Sequence, residues 1–231
     1  MKLYLIRHGD PDYDKDSLTE EGRRQAHALA CLPWIRSKGE FFSSPLGRAR
    51  ETAAPAAEAA GKAVEILPWL REMDDVTVWD RRRPDLAVWN LAPERLKTLE
   101  NRRFLEDAVM AETCLKKRWE ELESGGLSLL SRYGISRRDG AWREDGPLED
   151  RYIALFCHLG VGLAFLAFLL DLPPAVLWRT GFLSPSSVTE ILAEESGDGR
   201  VNFRILKMSG VEHLALKGIE AGTRGLQYNF K

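Results

Sequence analysis

Short apolar segments with strand character alternate with helical segments at both ends of this chain, and this alternation constrains the fold more than any other feature. The apolar segments are 1–6, 40–44, 63–67 and 153–157. Strands that are linked by helices pair in parallel, and the helices cover both faces of the sheet. The sequence therefore predicts an α/β fold: a three-layer α/β/α sandwich whose sheet is mostly parallel.

Local signals mark the two helices of the N-terminal part. Thr19 is a suitable N-cap for a helix that runs to about Cys31, because its hydroxyl can accept a hydrogen bond from a free backbone N–H. Pro45 is expected at the first position of an alanine-rich helix that Gly61 ends. Pro55 lies inside that helix and predicts a kink or a break.

The middle of the chain differs from its ends. Residues 75–150 are rich in charged, helix-favouring sequence, so we expect a largely helical cap inserted into a single domain that spans 1–231. A buried helix is predicted from about 160 to 170. After it, the segments 187–195 and 201–207 flank Ser-Gly-Asp-Gly, which indicates a β-hairpin.

Charge and cysteine content argue against several classes of protein. The net charge is −2, so the whole molecule has no bulk attraction for nucleic acid or an anionic membrane. The longest apolar run, 159–170, is too short to span a bilayer. The three widely spaced cysteines do not resemble a disulfide framework or a zinc site, and a strand starts at once with no room for a signal peptide. We therefore expect a cytoplasmic protein.

The cap combines aromatic residues with short basic tracts, at 81–83, 116–118 and 137–138. Such a combination can indicate nucleic-acid binding. However, residues 75–150 contain 14 basic and 16 acidic side chains, so a solvated surface explains the tracts better. Four of the seven tryptophans lie here, and we expect them to be core residues more often than substrate contacts: Trp79, Trp89, Trp119 and Trp142.

The first strand ends on Arg7, His8 and Gly9. Open α/β sheets bind ligands in the crevice beyond the carboxyl ends of their strands. Histidine can act as a nucleophile, and arginine is the side chain best shaped to grip a phosphate. The tripeptide therefore indicates a phosphate-handling site at this edge of the sheet.

Several further motifs follow in order. They are Leu-Thr-Glu-Glu-Gly at 18–22, Ser-Pro-Leu-Gly-Arg-Ala at 44–49, and Phe-Cys-His-Leu-Gly at 156–160. Together with the Arg-His-Gly tripeptide, this pattern resembles the histidine phosphatase (phosphoglycerate mutase-like) superfamily. The resemblance covers about two thirds of the chain and leaves 75–150 unexplained.

The resemblance implies a phosphohistidine intermediate formed on His8. Arg7 and Arg48 would bind the phosphate, and His158 would add a donor and serve as the second catalytic histidine. Arg50 competes with Arg48 for this role, but only Arg48 occupies the family position. Phosphoryl transfer needs cations around the phosphate oxygens, and these same cations should lower the pKa of the nucleophile. This scheme requires no metal ion and no cofactor.

A leaving alkoxide also needs a proton. In similar proteins a glutamate after the third strand supplies it, and Glu72 occupies that place, with Asp74 as its rival. His213 lies in a segment that similar proteins share, where packing is as good an explanation as catalysis. His27 is expected to be structural or exposed.

The expected activity is that of a phosphomonoester phosphatase, a phosphoric monoester hydrolase of the histidine acid phosphatase type, acting on a small phosphorylated metabolite. A phosphomutase is the first alternative. Phosphoglycerate mutases commonly carry Asn six residues beyond the nucleophile, where this chain has Asp14, and this weakens that reading. A phosphate-binding regulatory or scaffold protein is the second. Oligomeric state stays open.

Overall fold

The computed structural model describes residues 1–80, 83–101 and 103–226. Twelve strands lie in this part of the chain: β1 Lys2–Arg7, β2 Pro11–Asp12, β3 Ser17–Leu18, β4 Gly39–Ser43, β5 Val64–Ile66, β6 Thr77–Asp80, β7 Arg83–Ala87, β8 Ile135–Arg138, β9 Ala141–Glu144, β10 Tyr152–Cys157, β11 Val188–Glu195 and β12 Val201–Gly210. Its α-helices are α1 Glu20–Leu29, α2 Gly47–Ala60, α3 Pro93–Thr98, α4 Ala108–Ala111, α5 Leu115–Ser131, α6 Leu159–Leu169, α7 Pro174–Thr180 and α8 Glu212–Ala215.

A six-stranded sheet forms the centre of the molecule, in the order β12-β11-β1-β10-β4-β5. The strands β1, β10, β4 and β5 are parallel to one another. At the other side of the sheet, β11 pairs antiparallel with both β1 and β12. The mostly parallel α/β sheet is therefore confirmed, as is the hairpin predicted at its end.

Helices cover both faces of this sheet. On one face, Ile6, Phe41 and Phe156 pack with alanines of α2. On the other face, Leu5 and Leu155 pack against the apolar helix α6 and against residues of the cap. Neighbouring strand residues point to opposite faces. Since helices cover both faces, the side chains on both sides of these strands are apolar. The predicted three layers are present.

The helix signals were accurate in part. The Thr19 hydroxyl accepts a hydrogen bond from the backbone N–H of Gly22 at 3.0 Å and caps α1 as predicted. Gly61 ends α2 in the left-handed conformation, with φ 62°. The predicted first position for Pro45 is wrong, because α2 begins at Gly47. Pro55 lies inside α2 without breaking it.

The cap contains more strand than the sequence predicted. Its helices are α3, α4 and α5, but two antiparallel hairpins, β6–β7 and β8–β9, flank them. Its apolar side chains join the same buried cluster as the sheet and α6. Of the basic tracts, Arg81 and Arg82 lie outside the described residues. The division into one domain with an inserted cap stays a prediction.

Two parallel neighbours set the position of the site. In the register between β1 and β10, Arg7 lies opposite Cys157. A histidine follows each of these strands directly. His8 and His158 therefore lie next to each other at the edge of the sheet. None of the described helices is long and apolar enough to cross a membrane.

Candidate active site

His8 and His158 meet at the carboxyl edge of the central sheet, although 150 positions separate them in the sequence. Their ring centroids are 5.1 Å apart, and both side chains are buried. Arg7 and Arg48 are buried beside them. The fold therefore brings together the two histidines and the two arginines that the sequence singled out.

His8 has a defined tautomer. Its Nδ1 lies 2.7 Å from the carbonyl oxygen of Gly9, and a carbonyl can only accept, so Nδ1 carries the proton and donates it. The other nitrogen, Nε2, then keeps its lone pair. Burial, together with the Arg7 and Arg48 guanidiniums, holds the pKa of His8 well below its usual value of 6.5. His8 is therefore neutral near pH 7 and has a free lone pair.

His158 is anchored by the opposite ring nitrogen. Its Nε2 lies 2.7 Å from Ser44 Oγ, while Nδ1 is buried without a hydrogen-bond partner. Burial and the nearby His8 hold the pKa of His158 well below its usual value. A buried polar atom with no partner is rare and calls for an explanation.

Arg7 shows the same pattern. Its Nη1 donates to the carbonyl oxygen of Leu183 at 2.5 Å, and its Nε is buried without a partner. The guanidinium also lies 5.6 Å from the ring centroid of Phe182. Gly225 approaches from the C-terminal segment, and a Cβ at that position would lie 3.1 Å from Arg7 Nη2.

Arg48 is held by an acidic partner that the sequence analysis did not identify. Its Nη1 donates to Asp16 Oδ1 at 2.6 Å, and the other oxygen of Asp16 accepts from the backbone N–H of Gly47, also at 2.6 Å. The Tyr13 ring centroid lies 5.4 Å from the guanidinium carbon. The Nε of Arg48 is buried without a partner. Arg50, the competitor, is exposed.

Glu72 lies at the N-terminus of α6. Its carboxylate accepts hydrogen bonds from the backbone N–H groups of Met73, Gly160 and Val161 at 2.9, 3.0 and 2.8 Å. Burial raises the pKa of Glu72, while these three hydrogen bonds and Arg7 oppose the rise. The rival Asp74 is exposed.

Most of these residues line one cavity of about 270 Å³, whereas His158 is fully buried next to it and does not line it. Arg7, His8, Arg48 and Glu72 line its inner side, and Tyr13, Asp74, Trp89, Asn90, Leu159 and Gly225 complete the lining. Of the four cap tryptophans, Trp89 lines this cavity, whereas Trp119 and Trp142 are core residues and Trp79 is exposed.

The sequence analysis missed Asp16, Tyr13 and Asn90. Each is a polar residue in a loop or a 3₁₀ turn, with no spacing that marks it. His213 is buried, with its Nε2 3.2 Å from Ser186 Oγ, away from the cavity. His27 is exposed on α1.

Comparison with known proteins agrees with this geometry. The model of the histidine phosphatase superfamily (branch 1) matches residues 3–123. A probable phosphoglycerate mutase GpmB of Yersinia pestis is 38% identical over 161 residues, which cover 59% of this chain and 71% of the relative. The corresponding protein of Yersinia enterocolitica is 30% identical over 156 residues, with the same coverage.

Solved structures of phosphatases share the fold. A mycobacterial glucosyl-3-phosphoglycerate phosphatase in complex with inorganic phosphate is 25% identical, with a TM-score of 0.59, and covers 92% of this chain and 98% of its own. A phosphoserine phosphatase of Entamoeba histolytica has the same TM-score and coverage at 19% identity, a likeness in fold alone.

Proposed function

Because the chain belongs to the histidine phosphatase superfamily, we propose that it is a phosphomonoester phosphatase that works through a phosphohistidine on His8. One observation carries this proposal. His8, His158, Arg7 and Arg48 are each anchored to the protein through one nitrogen and keep another nitrogen without a protein partner. Arg7, His8 and Arg48 line one cavity, and the His158 ring lies 5.1 Å from the His8 ring. Such a group of anchored side chains is a preorganised site for a tetrahedral anion.

The first step is attack on phosphorus. His8 Nε2 donates its lone pair to the phosphorus atom, and the bond between phosphorus and the alcohol oxygen breaks on the opposite side. Arg7 and Arg48 bind the equatorial oxygens, where charge is spread in the transition state. Their charge also keeps His8 unprotonated, so the same groups bind the substrate and activate the nucleophile. The scheme draws its cations from side chains and requires no metal.

Glu72 is the general acid in this proposal. Its buried carboxyl group gives its proton to the leaving oxygen, and the raised pKa favours the protonated form that this step needs. In the second step, the Glu72 carboxylate takes a proton from the attacking water. The phosphorus–nitrogen bond then breaks, which releases inorganic phosphate and restores His8. The rival Asp74 is exposed, whereas Glu72 is buried at the start of α6.

His158 acts as a second donor to the phosphate. Burial, the neighbouring His8 and the Arg48 and Arg7 guanidiniums lower its pKa. A phosphate dianion next to the ring would raise that pKa and favour a protonated Nδ1 that donates to it. Its anchoring to Ser44 holds the ring in place for this contact.

A mutase is the second candidate, because the curated relatives are named as probable phosphoglycerate mutases. A mutase must keep water away from the phosphoenzyme. Here Tyr13, at 53% exposure, and the exposed Asp74 both line the cavity, so its outer part is open to solvent. This openness favours hydrolysis over isomerisation.

The test is rapid-quench labelling with a phosphate ester that carries ³²P. We expect acid-labile, base-stable label in the wild type and none in His8→Ala, with His27→Ala as the matched control on an exposed histidine. Label that survives in His8→Ala would overturn the nucleophile assignment. Inorganic phosphate as the product supports the phosphatase, and an isomeric phosphate ester supports the mutase.

A further inference from the structure

The outer side of the cavity carries polar groups that the proposed mechanism does not use. Asp74, Trp89 and Asn90 line this side, which we name the leaving-group wall. Neither the Asp74 carboxylate nor the Asn90 amide has a hydrogen-bond or ion-pair partner among the residues that the structure describes. Unpartnered polar groups at a ligand cavity fix ligand orientation and specificity.

The wall lies next to the proposed acid. A Cβ at Gly160 would lie 2.4 Å from Trp89 Cζ3 and 2.9 Å from Glu72 Oε1. The indole ring and the Glu72 carboxylate therefore flank the same point at the start of α6. Because the leaving oxygen must reach Glu72, the alcohol that carries it has to lie against Trp89 and its neighbours. The wall thus contacts the part of the substrate that is not phosphate.

Charge at the wall disfavours a second anion on the substrate. The basic side chains that line the described cavity are Arg7 and Arg48, and both are needed for the phosphate. Arg224, next to Gly225, is paired with Asp10 at 3.2 Å. A carboxylate on the alcohol would find no free described cation and would face the Asp74 carboxylate instead. Like charges brought together in this way oppose binding.

The hydrogen-bonding groups of the wall match a hydroxyl group on the substrate better than an ammonium group. The Asp74 carboxylate only accepts, whereas the Asn90 amide both donates and accepts. An ammonium has donors alone and leaves the Asn90 donors unmatched. A hydroxyl can donate to Asp74 and accept from Asn90, while the carbon-bound hydrogens of a polyol or sugar can pack on the Trp89 ring.

From this combination we propose that the preferred substrates are phosphate monoesters of polyhydroxyl alcohols, either polyols or sugars, and that Asp74 discriminates against phosphorylated carboxylic acids. This inference rests on the proposed function and adds its substrate class. The cavity of about 270 Å³ lies below the usual range for drug-sized ligands, which starts near ~300 Å³, so the alcohol is small.

The experiment compares glycerol 3-phosphate with 3-phosphoglycerate. These two esters share a three-carbon skeleton and differ at carbon 1, which is a hydroxymethyl group in one and a carboxylate in the other. The readout is the ratio of their kcat/KM values, measured by release of inorganic phosphate. Since the ratio is taken within one variant, a partial loss of folded protein cancels.

We expect the wild type to prefer glycerol 3-phosphate by about tenfold, the effect of one unfavourable charge contact. Asp74→Asn should narrow the ratio by about fivefold, and Asp74→Lys should reverse it. Asp14→Asn is the matched control, because Asp14 is exposed in the Tyr13–Lys15 turn and does not line the cavity. It should leave the ratio unchanged.

Three outcomes would overturn the inference: a wild-type preference for 3-phosphoglycerate, an equal change of the ratio in Asp74→Asn and Asp14→Asn, or a preference for phosphoethanolamine over glycerol 3-phosphate. If p-nitrophenyl phosphate is still hydrolysed through His8, the proposed function stands in each case. Loss of hydrolysis of every ester, the aryl phosphate included, would overturn both.

Discussion

The inner and outer sides of the cavity are built differently. On the inner side, Arg7, His8 and Arg48 are buried, with His158 next to His8, and a defined protein atom holds each of them. On the outer side, Asp74 is exposed and has no described partner. Side chains that are locked in place suit a reaction whose transition state has a fixed geometry. Groups without partners suit the recognition of a ligand that completes their hydrogen bonds. The proposed chemistry and the proposed substrate selectivity therefore rest on different parts of the molecule.

The largest expected effect tests the inner side. Arg7→Lys keeps the charge but replaces a planar fork with a single ammonium, which cannot hold Leu183 and grip a phosphate in two places. We expect kcat/KM for p-nitrophenyl phosphate to fall about 100- to 1,000-fold, the usual cost of losing a preorganised contact to the transition state. Arg50→Lys, on an exposed arginine of the same helix as Arg48, is the control and should change little. A fall of less than fivefold would contradict the comparison.

The next effect concerns Glu72, at the border between the two sides. Glu72→Gln removes the proton donor but keeps the size of the side chain and one acceptor for the N-terminus of α6. Turnover of alkyl phosphates should fall about 100-fold or more, since general acid catalysis contributes about that factor. Turnover of p-nitrophenyl phosphate should fall much less, because its leaving group needs no proton. Equal losses on both esters would assign the acid elsewhere.

Acid should destabilise the folded protein through its buried histidines. His8 and His158 are held neutral, with pKa values well below the usual 6.5. Below pH 6.5 the unfolded chain therefore binds more protons than the folded protein does. Their contribution to the free energy of unfolding is therefore full above pH 6.5 and is lost as the pH falls below it. His213, whose burial lowers its pKa to about 4, contributes in the same direction. Residues 75–150 contain no histidine, so the loss comes from these three buried rings and not from the cap.

Urea unfolding at a series of pH values measures this effect. The slope of the unfolding free energy against pH between 6.5 and 5 should be shallower in His158→Gln than in the wild type. His27→Gln, at an exposed position, should keep the wild-type slope. A wild-type slope that persists in His158→Gln would show that the buried ring is not a source of the acid sensitivity.

A smaller effect is expected at Asp16, which holds Arg48 from outside the cavity. In Asp16→Asn, one of the two donors, Arg48 Nη1 or Gly47 N–H, would face an NH₂ group in place of an oxygen. We expect kcat/KM to fall about fivefold and the inhibition constant for inorganic phosphate to rise, because Asp16 is part-exposed and its ion pair is modest. Asp14→Asn is again the control. A gain in phosphate affinity would mean that Asp16 opposes the phosphate instead of positioning Arg48.

The smallest effect is predicted at the cap surface. Trp79 lies on β6 with 75% of its surface exposed, and it does not line the cavity. Trp79→Ser should leave kcat/KM for every ester within about twofold, as for most surface substitutions. A large loss would show that the part of the cap important for activity extends well beyond Trp89 and Asn90.

The sequence could predict that His8 and His158 lie close together because both stand at strand ends. A strand that ends on Arg7 and His8, and another that ends on His158, reach the same edge whenever the two strands pair in parallel. The Arg48–Asp16 pair could not be predicted in this way. Asp16 lies 32 positions earlier, in a loop where its own φ is 47°, a conformation that the composition of the loop does not indicate.

The cap was predicted less well. One of its features had a sequence signal that was not used, and another had no local signal. Asp139 and Gly140, both with positive φ, form the tight turn between β8 and β9. Asp-Gly is a strong hairpin signal, so the sequence held the information. Trp89 is a different case. Its place at the cavity depends on contact with Gly160, 71 positions later, and nothing local distinguishes it from the other three tryptophans of the cap.

The register of β1 has a consequence for biosynthesis. This strand leaves the ribosome well before both of its partners in the sheet, which lie at 152–157 and 188–195. Until then, one of the most apolar segments of the chain has two unpaired edges, which is a state that favours aggregation. Synthesis proceeds at roughly 5–20 residues per second, so β1 waits for several seconds or longer. We expect the nascent chain to depend on chaperones during that interval, and catalytic competence to arise only after most of the polypeptide has been made.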